Sequence, residues 1–361
     1  MYIILAILLL AVLIVAHEFG HFTAARLMKI DVREFSVGFG PKLAGWKSKK
    51  YETTFAIRAI PMGGYCSFYG EDDATGESKD DPRRFGRHSV WKRMFVILMG
   101  PVMNFVLAFA AATVLAWCTG IPTGEVDPYI QDVTASGPAR DAGIKAGDVV
   151  TEINGVNMLD GTTDTLTGTI ASWKEGDAPL RVKILRNGQV IETEMTPEWD
   201  EKAGRMMVGV YISGTVRFAP AGFLGGLREA WQECTWAGGA ILDALRGLVT
   251  RGEGLEDTAG PVGIVSMISS QVEGEVRLGG VGAGAGVYTR LLIVISINLG
   301  LMNLLPIPGL DGSRLVFGII EAIRGKPVEP KREALVHLTG MVLLLGLMAF
   351  FTFRDVMRLF N

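Results

Sequence analysis

The chain opens with an apolar run long enough to enter a lipid bilayer. Residues 1–16 contain no charged side chain, and a membrane-spanning helix needs about 20 mostly apolar residues. Three further apolar stretches have a comparable length. We therefore predict four transmembrane helices, at about residues 2–22, 94–118, 287–305 and 335–353.

The middle of the chain has a different pattern. Residues 123–213 contain short runs of β-branched and aliphatic residues, separated by Gly, Asp, Asn and Pro. This pattern predicts a separate β-rich domain. Its expected strands are 129–134, 149–153, 180–185, 190–195 and 207–211, with an Asn187-Gly188 hairpin turn between the third and the fourth.

Two other segments have patterns of their own. Thr, Ile and aromatic residues in 35–70, followed by Gly63-Gly64, predict a β-hairpin or small sheet directly after the first helix. Apolar residues recur at helical spacing within 218–250, which predicts an amphipathic helix. This helix would lie on the membrane surface or pack on the soluble domain, and the pattern leaves both options open.

Composition and charge support a membrane protein with a water-soluble part. Of 361 residues, 49% are hydrophobic and 20% are charged, a mixture that suits membrane helices joined to a soluble domain. No basic tract suggests a nucleic acid partner. Lys and Arg are frequent between the first two spans and between the last two, so these loops should be cytoplasmic. Both termini and the central domain would then lie outside.

The candidate chemistry lies at the end of the first apolar run. His17-Glu18-Phe19-Gly20-His21 is an HExxH sequence, which places two imidazoles one turn apart on the same helix face. Such a pair binds Zn²⁺, and the intervening Glu18 is placed to act as general base and acid. Ionisable groups within a membrane span are costly and are usually functional. The sequence predicts zinc-dependent hydrolysis inside the bilayer.

A hydrolytic zinc site needs a third protein ligand, and Asp311 is the best candidate. His17 lies roughly 24 Å along the first helix at 1.5 Å per residue, most of the way through a core of about 30 Å. The third span runs in the same direction, and Asp311 follows its end. Pro306 and Pro308 interrupt that helix and allow the chain to bend. The HExxH sequence and the segment that carries Asp311 should therefore both reach the cytoplasmic side of the membrane.

Two amides inside the spans have two interpretations each. Asn104 and Asn303 would either form hydrogen bonds between helices or contact the backbone of an extended substrate near the zinc. The sequence alone does not decide between these roles.

These residues together resemble the site-2 protease family of intramembrane zinc proteases, in its bacterial regulator-of-sigma-E group. HEFGH and Asn303–Gly312 match two signatures of that family, the second of which supplies the aspartate ligand. Further matches occur at 35–41 with 60–65, at 100–104 and at 260–264. Residues 136–155 resemble a bacterial PDZ domain, so the chain looks like a member with a single PDZ domain.

The resemblance implies a multi-pass α-helical membrane protein with a membrane re-entrant β-loop and one inserted PDZ domain outside the cytoplasm. The implied segments are the first transmembrane helix (1–34), the β-loop (35–70), a cytoplasmic connector (71–93), the second helix (94–118), the PDZ domain (123–213), the amphipathic region (218–250), a Gly-rich connector (251–286), the third helix with its Asp motif (287–312), a cytoplasmic loop (313–334) and the fourth helix (335–353).

The implied activity is cleavage of single-pass membrane proteins within or near their transmembrane helix. Anti-sigma factors and remnant signal peptides are the implied substrates, and the β-loop with Gly63 and Gly64 would offer an edge to which an unwound substrate adds as a strand. Two other classes remain open: an inactive zinc-binding scaffold that acts through the PDZ domain, and a zinc transporter. The intact Glu18 disfavours the first, and the clustering of polar residues at one depth disfavours the second.

Overall fold

The structure is a computed structural model with two compact units. We name them the helical unit (Met1–Cys118 with Gly226–Asn361) and the sheet unit (Thr119–Gly225). The structure describes residues 1–70, 81–159, 163–186, 188–201, 203–252 and 259–360. Asn187 of the predicted hairpin turn and residues 71–80 of the predicted connector lie outside these ranges.

Eight α-helices and ten strands make up the described chain. The helices are α1 (Tyr2–Leu27), α2 (Val90–Thr119), α3 (Pro138–Asp141), α4 (Thr163–Ala171), α5 (Phe223–Arg251), α6 (Pro261–Leu304), α7 (Asp311–Arg324) and α8 (Pro330–Phe360). The strands are β1 (Val32–Lys47), β2 (Thr54–Phe68), β3 (Ile121–Val133), β4 (Val149–Ile153), β5 (Val156–Asn157), β6 (Leu180–Arg186), β7 (Gln189–Met195), β8 (Glu198–Asp200), β9 (Arg205–Met207) and β10 (Val210–Ala219).

Four of the described helices are long and apolar enough to cross a membrane. They are Tyr2–Leu27, Val90–Thr119, Gly279–Leu304 and Arg332–Arg358. Each contains or overlaps one of the predicted spans, which supports the prediction of a multi-pass membrane protein. The third begins inside α6, where Gly280 adopts φ 76° and ψ −174° and breaks the helix. Glycine tolerates this conformation because it has no Cβ atom.

The segment after α1 folds into an antiparallel pair, β1 and β2, which we name the hairpin sheet. Both strands are long and bent, so that Ser36 in β1 pairs with Tyr65 near the end of β2 and also with Ala56 near its start. Among the described pairings, the last part of β2 therefore forms an edge of the sheet, and we name it the outer part of β2. Phe35 and Phe55 each pack against the ring of Phe22 at 5.7 Å between centroids, which fixes the sheet on α1.

Helix α5 packs along two of the candidate spans. Its small residues Ala230 and Ala237 are buried in one cluster with α2 and α6 side chains, which are Ala108, Ala112, Leu115, Ile293 and Ile297. Small residues allow helix backbones to approach closely. Away from this contact, α5 exposes Trp231 and Trp236. The amphipathic pattern predicted a helix on the membrane surface or on the soluble domain, so packing of α5 against other helices was not predicted.

The sheet unit has its own apolar core. Its main sheet has the order β10-β3-β4-β6-β7, with β5 paired to β4, and β8 and β9 form a separate hairpin. The core contains Ile130, Ile153, Leu166 and Ile184, each no more than 1% exposed. The predicted strand 207–211 is wrong as a single strand, because β9 ends at Met207 and β10 begins at Val210. Gly209 between them has φ 78°, outside the β region.

Candidate active site

His17, His21 and Asp311 converge on one point, although 290 residues separate His21 from the aspartate. The Nε2 atoms of His17 and His21 lie 3.0 and 3.3 Å from Asp311 Oδ2, and 3.2 Å from each other. The side chains are only 10–16% exposed. Within the described ranges, these residues are the group of three that could hold a metal ion.

Each imidazole is oriented by a partner on α2. The Nδ1 atom of His21 lies 2.9 Å from the Val96 carbonyl oxygen, to which it donates. Its Nε2 lone pair is therefore directed at the common point. This arrangement, with one ring nitrogen donating and the other facing the metal, is usual for metal-binding histidines.

Asn104 gives His17 a similar partner. The Asn104 side chain is completely buried, its Nδ2 atom lies 3.2 Å from His17 Nδ1, and its Oδ1 atom has no hydrogen-bond partner. Rotating the amide by 180° places Oδ1 as the acceptor of a proton on His17 Nδ1, which satisfies the oxygen and frees Nε2 for a metal.

Two glycines make room for the histidines. A Cβ atom at Gly100 of α2 would lie 2.3 Å from His21 Cε1 and 2.3 Å from His21 Nε2. A Cβ atom at Gly20 of α1 would lie 2.1 Å from the Met99 carbonyl oxygen. Both distances are far below van der Waals contact. The absence of side chains at these positions lets α1 and α2 approach closely enough to enclose the imidazoles.

Asp311 reaches the site because α6 ends before it. Helix α6 stops at Leu304, Leu305 is extended, and Asp311 begins α7. A Cβ atom at Gly312 would lie 2.2 Å from the Leu305 carbonyl oxygen, so this turn is tight. The two prolines between the helices exclude a continuous helix. The predicted bend is therefore present.

The three donor atoms fit zinc. Tetrahedral sites with bonds of about 2.0–2.1 Å have donor atoms about 3.3–3.4 Å apart, close to the 3.0–3.3 Å separations of these atoms. With the Nδ1 protons donated to Asn104 and Val96, both Nε2 atoms carry lone pairs, so the buried Asp311 Oδ2 receives no hydrogen bond from them. An orphaned carboxylate oxygen is costly in a protein interior, and a cation bound between the three atoms removes this cost.

The side chain of Glu18, a residue of α1, lies next to the outer part of β2. The backbone of Cys66 hydrogen-bonds its carboxyl group. A Cβ atom at Gly64 would lie 3.5 Å from Glu18 Cγ and 3.1 Å from Ile14 Cγ2, so the strand and the helix are in close contact. Gly63 adopts φ +113° and lies against the ring of Phe39. These two glycines bring β2 next to Glu18.

A cavity of about 750 Å³ opens onto this group, and we name it the active-site cavity. Its lining includes His17, Glu18, His21, Asp311 and also Asn303. The structure thus places Asn303, but not Asn104, on the cavity wall.

Sequence reasoning missed the other polar wall of the active-site cavity. Glu34 Oε1 accepts hydrogen bonds from Arg58 Nη2 at 2.7 Å and Tyr65 Oη at 2.9 Å. Burial opposes ionisation of Glu34, but the bonds from Arg58 and Tyr65 outweigh it and hold the pKa of Glu34 below its usual value. The available signal was the alternation of side chains along a strand, which places Glu34 and Ser36 of β1 on the same face.

An HExxH helix beside a second helix that supplies an aspartate, within a bundle of apolar helices, defines a candidate membrane metallopeptidase. The comparison with known families agrees. Residues 5–347 match the model of peptidase family M50, and the chain belongs to this family. The predicted resemblance to site-2 proteases is confirmed.

Several relatives match almost the whole chain. A protein of Clostridium acetobutylicum, named as a candidate zinc metalloprotease, is 33% identical over 99% of this chain and 98% of its own. The regulator of sigma-W protease RasP of Bacillus subtilis is 31% identical, with 98% of each chain covered. A PDZ domain of an SdrC-like protein of Listeria innocua aligns with 24% of this chain and 92% of its own, at 24% identity and a TM-score of 0.22.

Proposed function

We propose that this chain is a zinc-dependent endopeptidase that cleaves single-pass membrane proteins within or near their transmembrane helix. The observation that carries the proposal is the convergence of His17, His21 and Asp311 beside Glu18, at a cavity between apolar helices. His17, His21 and Asp311 would hold the ion. When bound, zinc supplies Lewis-acid chemistry that polarises a carbonyl group and makes water easier to deprotonate.

The remaining chemistry falls to side chains of the cavity. The Glu18 carboxylate takes a proton from the attacking water and delivers it to the nitrogen of the leaving amine. The Cys66 backbone, which hydrogen-bonds Glu18, keeps the carboxylate in place. The Asn303 amide on the cavity wall binds the substrate backbone.

A transmembrane helix must unwind before its carbonyls can be attacked, since its backbone is hydrogen-bonded internally. The outer part of β2 forms an edge of the hairpin sheet near Glu18, to which an unwound segment adds as a strand. Gly63 and Gly64 belong to this edge. The interpretation of the hairpin sheet as a membrane re-entrant loop rests on the family resemblance at 35–41 and 60–65.

The remaining assignments belong to the same proposal. Loop charge favours a cytoplasmic location for residues near Asp311 and an outside location for both termini and the sheet unit. We assign the sheet unit as a PDZ domain from the sequence resemblance at 136–155, acting as a filter or peptide-binding module. One relative is named as a regulator of sigma-W protease, which supports anti-sigma factors as substrates. Remnant signal peptides are assigned as substrates from the family resemblance alone.

The test uses the purified full chain in lipid vesicles with a single-pass transmembrane substrate. The variant Glu18→Gln should lower the cleavage rate by roughly 100-fold or more and leave the zinc content unchanged. The exposed Glu329→Gln is the matched control and should cleave normally. Undiminished cleavage by Glu18→Gln would remove Glu18 from the mechanism.

The same preparation distinguishes the two other classes of protein. Bound zinc without cleavage by either form would favour a scaffold. Zinc uptake into the vesicles would favour a transporter.

A further inference from the structure

A second cavity, of about 500 Å³, lies beside the active-site cavity in the helical unit. We name it the basic cavity. It is formed where four elements meet: the turn Phe85–Arg87, the first two turns of α2, one face of α7 and the start of α8. Neither the metal residues nor Glu18 line it. The mechanism above uses none of its distinguishing side chains.

The lining has an excess of positive charge. Arg84, Arg87, Arg93 and Arg314 contribute four guanidinium groups, against the two carboxylates of Glu321 and Glu333. Glu321 is paired with Arg93. Four guanidinium groups against two carboxylates leave a net positive charge in one concave space, which attracts an anion, and guanidinium groups match phosphate oxygens in geometry.

The rest of the lining is apolar. Val90, Met94, Ile97, Phe317 and Val328 contribute hydrophobic surface next to the arginines. Val90 also begins α2, and the candidate span of α8 begins at Arg332, next to the lining residue Glu333. The cavity therefore lies at the ends of two candidate spans, where a bilayer changes from hydrocarbon to headgroups. A ligand that suits both parts of the lining has an anionic head and an apolar body.

We propose that the basic cavity binds the phosphate headgroup of an anionic phospholipid. Arg84 and Arg87 bind the phosphate oxygens, and the apolar residues contact the first carbons of the acyl chains. Basic pockets between transmembrane helices on the cytoplasmic side are suited to such headgroups. A soluble phosphate compound shares the headgroup chemistry but gains nothing from the apolar wall, so the lipid is the favoured source.

The experiment measures lipid binding by the full chain and does not depend on proteolysis. The protein in neutral detergent is titrated with phosphatidylglycerol and, separately, with phosphatidylcholine, and bound lipid is counted by native mass spectrometry. The wild type should bind phosphatidylglycerol roughly tenfold or more tightly than phosphatidylcholine. Equal binding of the two lipids would overturn the proposal.

Two variants locate the site. Arg84→Gln combined with Arg87→Gln should weaken phosphatidylglycerol binding roughly 25-fold, equivalent to about 2 kcal/mol at about 1 kcal/mol for each arginine. Arg324→Gln, at the exposed end of α7 outside the cavity lining, is the control and should bind like the wild type. If the double variant does not fold, Arg87→Gln alone should lose roughly fivefold. Undiminished binding by a folded variant, or an equal loss in the control, would contradict the assignment.

A third arm separates the two sources of phosphate. Inorganic phosphate at a concentration of tens of millimolar should leave phosphatidylglycerol bound, because the apolar contacts remain. Complete displacement by inorganic phosphate would assign the cavity to a soluble anion and overturn the lipid proposal.

Discussion

The active-site cavity and the basic cavity share two lining residues, Arg314 and Ile97, but suit different ligands. In the first, short side chains are held rigidly: His21 by the Val96 carbonyl, and Asp311 by a tight turn. In the second, long arginine side chains line a space between helix ends. A cation held by three atoms tolerates little displacement, whereas flexible guanidinium groups can follow their ligand. Substitutions should therefore be far more damaging around the first cavity.

The largest effect should come from the addition of a single methyl group next to the metal-binding histidines. Gly100→Ala places a Cβ atom where His21 Cε1 and Nε2 lie, at 2.3 Å. A displacement of about 1 Å in a catalytic group typically costs roughly 100-fold in rate, and we expect at least that loss together with most of the bound zinc. Metal analysis and the cleavage assay measure both quantities.

The control for this variant is a glycine in another helix. A Cβ atom at Gly239 of α5 would meet nothing within 4 Å. Gly239→Ala should therefore retain its zinc and its activity. Equal zinc content in the two variants would show that the histidines are not enclosed as described.

The next effect concerns the charge of the third ligand. Asp311→Asn replaces a carboxylate by a neutral amide, which binds zinc weakly. Loss of an outer contact to a metal site typically costs roughly 10- to 100-fold in affinity, and loss of a ligand should cost more. The affinity can be measured by competition with a chelator.

Glu321→Gln provides the matching change in the basic cavity. It removes a carboxylate from the same helix, α7, and should leave zinc binding unchanged. If both variants bound zinc like the wild type, Asp311 would not be a ligand.

Removing the hydrogen-bond partner of one histidine should have a smaller effect. Asn104→Leu leaves His17 Nδ1 without its partner while keeping a similarly branched side chain, and zinc affinity should fall roughly 10-fold. Ser296→Ala is the control: it removes a 2.8 Å hydrogen bond to the Asn104 backbone oxygen but spares the amide. A loss in the control as large as in Asn104→Leu would assign the effect to helix packing.

Much of the active site could be predicted from the sequence, because its signals are local or one-dimensional. The spacing of His17 and His21 defines one helix face, and the apolar runs define the candidate spans. Asp311 was found by counting depth along a second span. These predictions depend on helix geometry alone, because each residue adds a fixed rise and rotation along a helix.

The remaining features depend on long-range packing. Residue number gives no indication that the Val96 carbonyl lies beside His21, or that Arg58 bonds to Glu34 across the hairpin sheet. Asn104 had two interpretations, since a buried amide can form hydrogen bonds between helices or contact a substrate, and its role beside His17 was in neither. The basic cavity was missed because its arginines come from three separate parts of the chain.

The smallest effect is a dependence of stability on pH at the edge of the active-site cavity. Because the folded protein holds the pKa of Glu34 below its usual 4.5, the bonds from Arg58 and Tyr65 stabilise the fold at pH values above 4.5. Their contribution is lost as the pH falls through the folded pKa, since the unfolded chain takes up the proton first. At pH 7, Glu34→Gln should lower the Tm by about 2 °C, for a loss of about 1 kcal/mol.

This difference from the wild type should shrink as the pH falls from 4.5 through the folded pKa, and vanish below it, because Glu34 is then uncharged in the folded protein as well. Glu52→Gln, in an exposed ion pair with Arg83, is the control and should change the Tm little at any pH, since such pairs contribute little. A Glu34→Gln difference that stayed constant from pH 7 to the acid range would mean that Glu34 contributes packing rather than charge. The wall of the active-site cavity that contains Glu34 would then stabilise the fold by packing, as apolar residues do in the basic cavity, and not by charge.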